Sequence, residues 1–166
     1  MAATTMEKIT SLVHTLQSSG ILDAPHGTIT LEASANFSWH YQARVVTYDA
    51  TDSHAQILLL HEVGHALLNH QNYDHDIHLL EMERAAWDKA QSFSLDFGIM
   101  IDKKMVEDAL DTYRDWLHAR SLCPSCSSTG VQTATNVYTC LACHHVWRVN
   151  EARTCQLRRY DTKKRP

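Results

Sequence analysis

The run "ILLLHEVGHALLNH", Ile57 to His70, constrains this chain more than any other stretch: it is aliphatic almost throughout, yet it carries two histidines and a glutamate in its middle. A helix that is apolar on most faces belongs in a core. Polar side chains taken into a core must find partners, since an unpaired buried polar group costs several kcal/mol in apolar surroundings (~2–7). On a helix, His61 and His65 lie at i and i+4, about one turn apart on one face, so both imidazoles can reach one ion. Glu62 is turned about 100° from His61, which lets its carboxylate approach a water on that ion without ligating it. Gly64, mid-helix despite a cost of about 1 kcal/mol relative to Ala, suggests that something approaches the backbone closely there.

This is the HExxH arrangement of zinc peptidases. Zinc suits it because a four-coordinate ion accepts two imidazoles and a third protein ligand and keeps one position for water. That makes His61 and His65 the expected ligands of a catalytic zinc and Glu62 the expected general base. The third ligand lies outside the motif. Leu68 and Gln71 stand where the longer HExxHxxGxxH pattern needs Gly and His, so metzincins are excluded. The next predicted helix offers His78, Glu81 and Glu83. Glu83 is preferred because it shares a face with Ala86, Trp87 and Ala90, where small side chains let two helices come close, while Glu81 is turned about 200° away.

A second constellation sits downstream. "CPSC" (Cys123, Cys126) and "CLAC" (Cys140, Cys143) are CxxC pairs separated by thirteen residues, the pattern of a closed four-thiolate structural zinc site. The intervening "TGVQTATNVYT" is Thr- and Val-rich, as a β-hairpin should be, so a zinc ribbon is expected, with Trp147 after its second knuckle. Cys155 is left over; of a buried and a reactive thiol, the buried one is the expectation.

Elsewhere the pattern is legible in pieces. Thr4 and Glu7 have capping-box spacing ahead of Met6, Ile9, Leu12, Val13 and Leu16 at helical period, up to Gly20. "GTITLEA" and "ARVVTYDA" predict two short strands. Asp52 or Ser53 can cap the HExxH helix, a third helix starts near Asp76 or His78, and a fourth carries Val106, Ala109, Leu110, Tyr113, Trp116 and Leu117. At 166 residues with 44% apolar composition, the chain can bury one ordinary domain and a small module. The expected class is α+β: a small zincin-like metallopeptidase domain over residues 1–120, with helices packed on a short antiparallel sheet, then a β zinc ribbon at 121–150 and a basic tail at 151–166.

Charge is divided unevenly. From His145 onward there are 7 Lys+Arg against 2 Asp+Glu, and the preceding residues carry 8 against 17. The acidic body is a poor nucleic-acid ligand, whereas the basic tail can touch phosphates. No stretch has the length of a membrane span or a secretory apolar core, so no membrane contact and a cytoplasmic location are expected.

"HEVGHALLNH" followed some twenty residues later by "ERAAWDKA" resembles the ImmA/IrrE-type metallopeptidases, whose pattern is HExxH and then a Glu three residues before an Ala. The resemblance covers roughly residues 27–90 and implies zinc ligation by His61, His65 and Glu83, catalysis by Glu62, and a DNA-associated regulator such as a repressor as substrate. Ala85 stands where that family often has another Glu. A second resemblance is to SprT-like proteases of DNA-linked proteins, which also join HExxH to a C-terminal zinc-binding segment; it implies His78 as third ligand, although Leu79 stands where their "HGxE" element has Gly. Two zinc ions, one catalytic and one structural, and a protein substrate are thus expected. A non-catalytic adaptor binding nucleic acid or protein through the ribbon is the alternative. Tyr48, Tyr73, His75 and His78 can all chemically stabilise an oxyanion, and the sequence does not rank them.

Overall fold

The computed structural model describes residues 4–153 and 155–162 and is α+β. Its chain divides into two compact units, Met1–Gln71 with Met82–Val106, and Asn72–Glu81 with Glu107–Pro166. The division runs through two helices.

The first unit opens with α1 (Thr5–Ser18), where Thr4 and Glu7 form the reciprocal capping box and Ile9, Leu12 and Leu16 are buried at i, i+3 and i+7. A two-stranded ribbon, β1 (Asp23–Ala24) with β2 (Gly27–Thr28), leads into β3 (Thr30–Ala33), β4 (Ser38–His40) and β5 (Val45–Tyr48). The expected single strand from Gly27 is therefore broken at Ile29, which is buried. Strand β5 lies in the centre, antiparallel to β4 and parallel to β3, so this sheet is mixed rather than purely antiparallel.

Helix α2 (Ala55–Leu67) packs on β4, β5 and α1. Its Leu59, Leu60, Val63 and Ala66 are fully buried, as an aliphatic run of this kind requires. Asp52 acts just before the helix, accepting the His54 N–H at 2.6 Å, and Ser53 Oγ contacts His54 Nδ1.

Helix α3 (Asp76–Ser94) enters the unit at Met82 and continues into a 3-10 turn, Leu95–Phe97. Its Ala86, Trp87 and Ala90 are buried, and the backbone of α2 approaches there so closely that a Cβ on Gly64 would lie 2.4 Å from the Ala86 carbonyl oxygen.

The second unit holds the start of α3, most of α4 (Lys103–Ser121) and a four-stranded antiparallel sheet of β6 (Gly130–Ala134), β7 (Val137–Cys140), β8 (Val146–Val149) and β9 (Arg159–Asp161), in that order. The predicted hairpin is β6–β7, with a bulge at Gln132–Ala134 and Asn136 in the left-handed region at its turn. Strand β9 was not expected: part of the basic tail is sheet, and the Arg159 guanidinium donates to the Ala119 carbonyl. Lys163, Lys164 and Arg165 of that tail lie outside the described residues.

Trp147 fills the centre of this unit, stacked on Tyr138 and donating to the Arg120 carbonyl at 3.1 Å. Gly130 makes room for it, since a Cβ there would meet the indole at 2.4 Å. Arg120 is itself buried and paired through Nε with Asp76 Oδ2 at 2.5 Å, while Tyr138 donates to the same carboxylate and Gln132 Oε1 accepts the Asp76 N–H at 2.7 Å. A buried charge held this way is tolerated because its hydrogen-bonding capacity is met.

The α2–α3 approach gives a direct check. Gly64→Ala should lower stability by about 1–3 kcal/mol, the usual cost of overpacking, because the obstructing atom is backbone and cannot rotate away. Urea denaturation measures it, and an unchanged midpoint would show that the helices are not held that close.

Candidate metal centres

The first cluster is built by α2 and the inner face of α3. His61 Nε2 is 3.1 Å from Glu83 Oε2, His65 Nε2 is 3.2 Å from His61 Nε2, and His65 Nε2 is 3.5 Å from Glu83 Oε2. All three side chains are buried, and their ligand atoms lie within 4.8 Å of one another. Those spacings match the ~3.3–3.4 Å edge of a tetrahedron whose metal–ligand bonds are ~2.0–2.1 Å. Two imidazoles and one carboxylate are also a donor set that zinc accepts. Burial alone would raise the Glu83 carboxyl, but the neighbouring His61 and His65 imidazoles outweigh it and hold the group well below the ordinary range.

Each ligand is braced by its surroundings. The His61 ring stacks on Trp87 with centroids 4.1 Å apart, and among the described residues its Nδ1 has no hydrogen-bond partner. His65 turns its Nδ1 to the Nδ1 of His70 at 2.8 Å. His70 is placed by a Schellman ending of α2: Asn69 is left-handed at φ 51°, its N–H reaches the Ala66 carbonyl, and the His70 N–H reaches back to the His65 carbonyl at 3.0 Å. Trp39 of β4 then donates its indole N–H to the His70 carbonyl at 2.8 Å. Burial, chiefly, and the neighbouring His65 bring the His70 imidazole down to about 4, so it is neutral near pH 7.

Glu62 is not among the three clustered ligands. Its pKa is raised, mainly by burial and against the pull of His61, His65 and the Trp39 backbone. A raised carboxylate beside a donor cluster has the character of a proton acceptor. Sequence reasoning missed Trp39 and His70. The second had a signal, since Asn directly after the predicted helix favours the left-handed cap that brings the following residue back.

His78 and Glu81 are exposed and belong to the second unit, as do Tyr73 and His75, whereas Glu83 is buried within the first. His75 and His78 meet edge to face, and Tyr73 donates to Glu151 at 2.5 Å, with burial and that carboxylate raising its phenol. Tyr48 is partly buried in the first unit.

The second cluster is Cys123, Cys126, Cys140 and Cys143. All are free thiols; Sγ atoms of Cys123 and Cys143 are 3.7 Å apart, and those of Cys126 and Cys140 3.5 Å. A tetrahedron with Zn–S bonds of ~2.3 Å has edges of about 3.8 Å. Its two knuckles repeat one design. Cys123 N–H bonds the Ser128 carbonyl and Cys140 N–H the His145 carbonyl, while left-handed Ser127 and His144 return their N–H groups to the Cys123 and Cys140 carbonyls. The Ser128 backbone N–H, with its hydroxyl and neighbouring thiols, draws Cys126 down to about 6, favouring a thiolate. Cys155, expected to be buried, is exposed and accepts a hydrogen bond from Asn150 Nδ2.

Either cluster could hold a metal ion. Comparison with known protein families, curated proteins and solved structures finds no match for this chain. Among the described residues, no helix is long and apolar enough to cross a membrane.

Two clusters predict two zinc ions per chain. A moderate chelator should take the first from the His/His/Glu cluster, because four thiolates close their site more completely. With the thiolate site saturated, Glu83→Ala should weaken binding of the other ion far more than His78→Ala or Glu81→Ala. Zinc titrations check this, and a dominant effect of His78→Ala would move the third ligand there.

Proposed function

We propose that this chain is a zinc-dependent endopeptidase with a zincin-like first unit and a C-terminal zinc ribbon. The observation that carries the reading is the mutual approach of His61, His65 and Glu83 within 4.8 Å, with Glu62 outside the ligand set. An all-structural site would have no use for a carboxylate held apart beside it, whereas hydrolysis needs one.

His61, His65 and Glu83 would hold the ion. Zinc bound there would supply a Lewis acid that polarises the scissile carbonyl and lowers the pKa of its water to roughly 7. The Glu62 carboxylate takes a proton from the attacking water and returns it to the departing amine nitrogen. The peptide bond breaks, and the water's oxygen and its second proton end in the new carboxyl group, which ionises at neutral pH. Packing against Trp87 and the Gly64–Ala86 approach keep the ligand side chains out of bulk water, which strengthens their electrostatic coupling.

Four thiolates leave no open coordination position, so the second zinc would be structural, fixing the hairpin. Exposed Arg148 and Arg158 add positive charge in the second unit, and the segment from His145 carries the basic excess. This supports a protein substrate associated with nucleic acid, such as a DNA-binding regulator.

Glu62→Gln tests the reading. Zinc-loaded wild-type chain should cut members of a peptide library at defined bonds, read by mass spectrometry. The variant should keep both metal ions and lose roughly 10²–10⁴-fold in rate. Equal rates for the two chains would sink the enzyme assignment.

A further inference from the structure

We propose that His70 is a positioning residue: its Nδ1 accepts the Nδ1 proton of His65 and fixes that ring with the Nε2 lone pair directed at His61 and Glu83. The inference rests on the reading of the His61/His65/Glu83 cluster as a metal site. Two imidazole nitrogens 2.8 Å apart share a single proton, so one ring donates and the other accepts. If His70 were the donor, a neutral His65 would carry its own proton on Nε2, the atom that faces His61 at 3.2 Å and Glu83 at 3.5 Å. A protonated Nε2 has no lone pair for a cation. With the proton on His65 Nδ1, the lone pair on Nε2 is free, and both ring nitrogens are used.

His70 is held for this task by contacts of its backbone rather than of its ring. The Schellman turn returns it over the last turns of α2, with its N–H on the His65 carbonyl, and the Trp39 indole anchors its carbonyl. Asn69, which supplies the left-handed step, is secured in turn by the Arg44 guanidinium on its Oδ1 at 3.1 Å. Three separate groups of the first unit thus set one imidazole against the outer nitrogen of a ligand. Partners of this kind fix tautomer and ring orientation, and their loss costs metal affinity.

The test uses the full chain, zinc chloride and a competing chelator, with the thiolate site already filled. His70→Phe keeps a planar ring but cannot accept, and should bind the second zinc about 10–100-fold more weakly than wild type. His70→Asn, whose amide oxygen stands where the imidazole Nδ1 was and can accept, should recover most of that loss, which a purely packing role would not explain. Nitrogen-15 spectra of the wild-type chain should find His70 protonated on Nε2 and bare on Nδ1, a readout that does not depend on either variant folding. Undiminished zinc affinity in His70→Phe, or a proton on His70 Nδ1, overturns the proposal. A wild-type chain that takes up only the thiolate-site zinc would instead remove the metal reading beneath it.

Discussion

The close approach of α2 and α3 at Gly64 and Ala86 is the contact on which the first unit's chemistry depends. Helices with ordinary side chains at the crossing keep their axes some 8–10 Å apart. With no Cβ on Gly64, the Ala86 carbonyl oxygen occupies the space where one would be. That brings Glu83, one turn before Ala86, against the Nε2 atoms of His61 and His65, and it seats Trp87 on the His61 ring. The penalty of glycine inside a helix is small beside the cost of leaving a carboxylate and two imidazoles buried and unmatched.

The same logic explains how much of the cluster's surroundings is committed to it, His61 Nδ1 being left without a hydrogen-bond partner among the described residues. A core helix gains from apolar burial, and each polar group added to it must be answered from a neighbouring element. Strand β4 answers through Trp39, whose indole N–H reaches the carbonyl of His70. The second unit solves a parallel problem with Arg120 and Asp76, whose buried charges are matched by each other, by Tyr138 and by Gln132. Its thiolate knuckles are stabilised chiefly by backbone N–H groups, which is why their geometry repeats at Cys123 and Cys140 with the same offsets.

Much of this was legible because periodicity and short-range spacing carry it. His61 and His65 face together on any helix, Glu83 follows from its place beside Ala86 and Ala90, and the two CxxC pairs are short-range spacings that close here as turns of one design. What escaped reading depends on tertiary context. Strand β4 is three residues long, with one apolar side chain, so no alternation could show. Strand β9, "RYD", is exposed throughout and forms because β8 offers it a free edge. The parallel pairing of β3 with β5 comes from β5 lying between two earlier strands, which no local pattern records. Cys155 was misjudged because burial propensity is a property of residue type, and its neighbours here are polar.

In the proposed function three buried side chains from two helices would hold a zinc ion, with Glu62 free to accept a proton. Anomalous scattering from crystals of the full chain, recorded on both sides of the zinc absorption edge, addresses it directly. Two peaks are expected, one among the Sγ atoms of Cys123, Cys126, Cys140 and Cys143, and one among His61 Nε2, His65 Nε2 and a Glu83 oxygen, with Glu62 outside bonding distance. A single peak at the cysteines, or a second ion bound by Glu62, would contradict it.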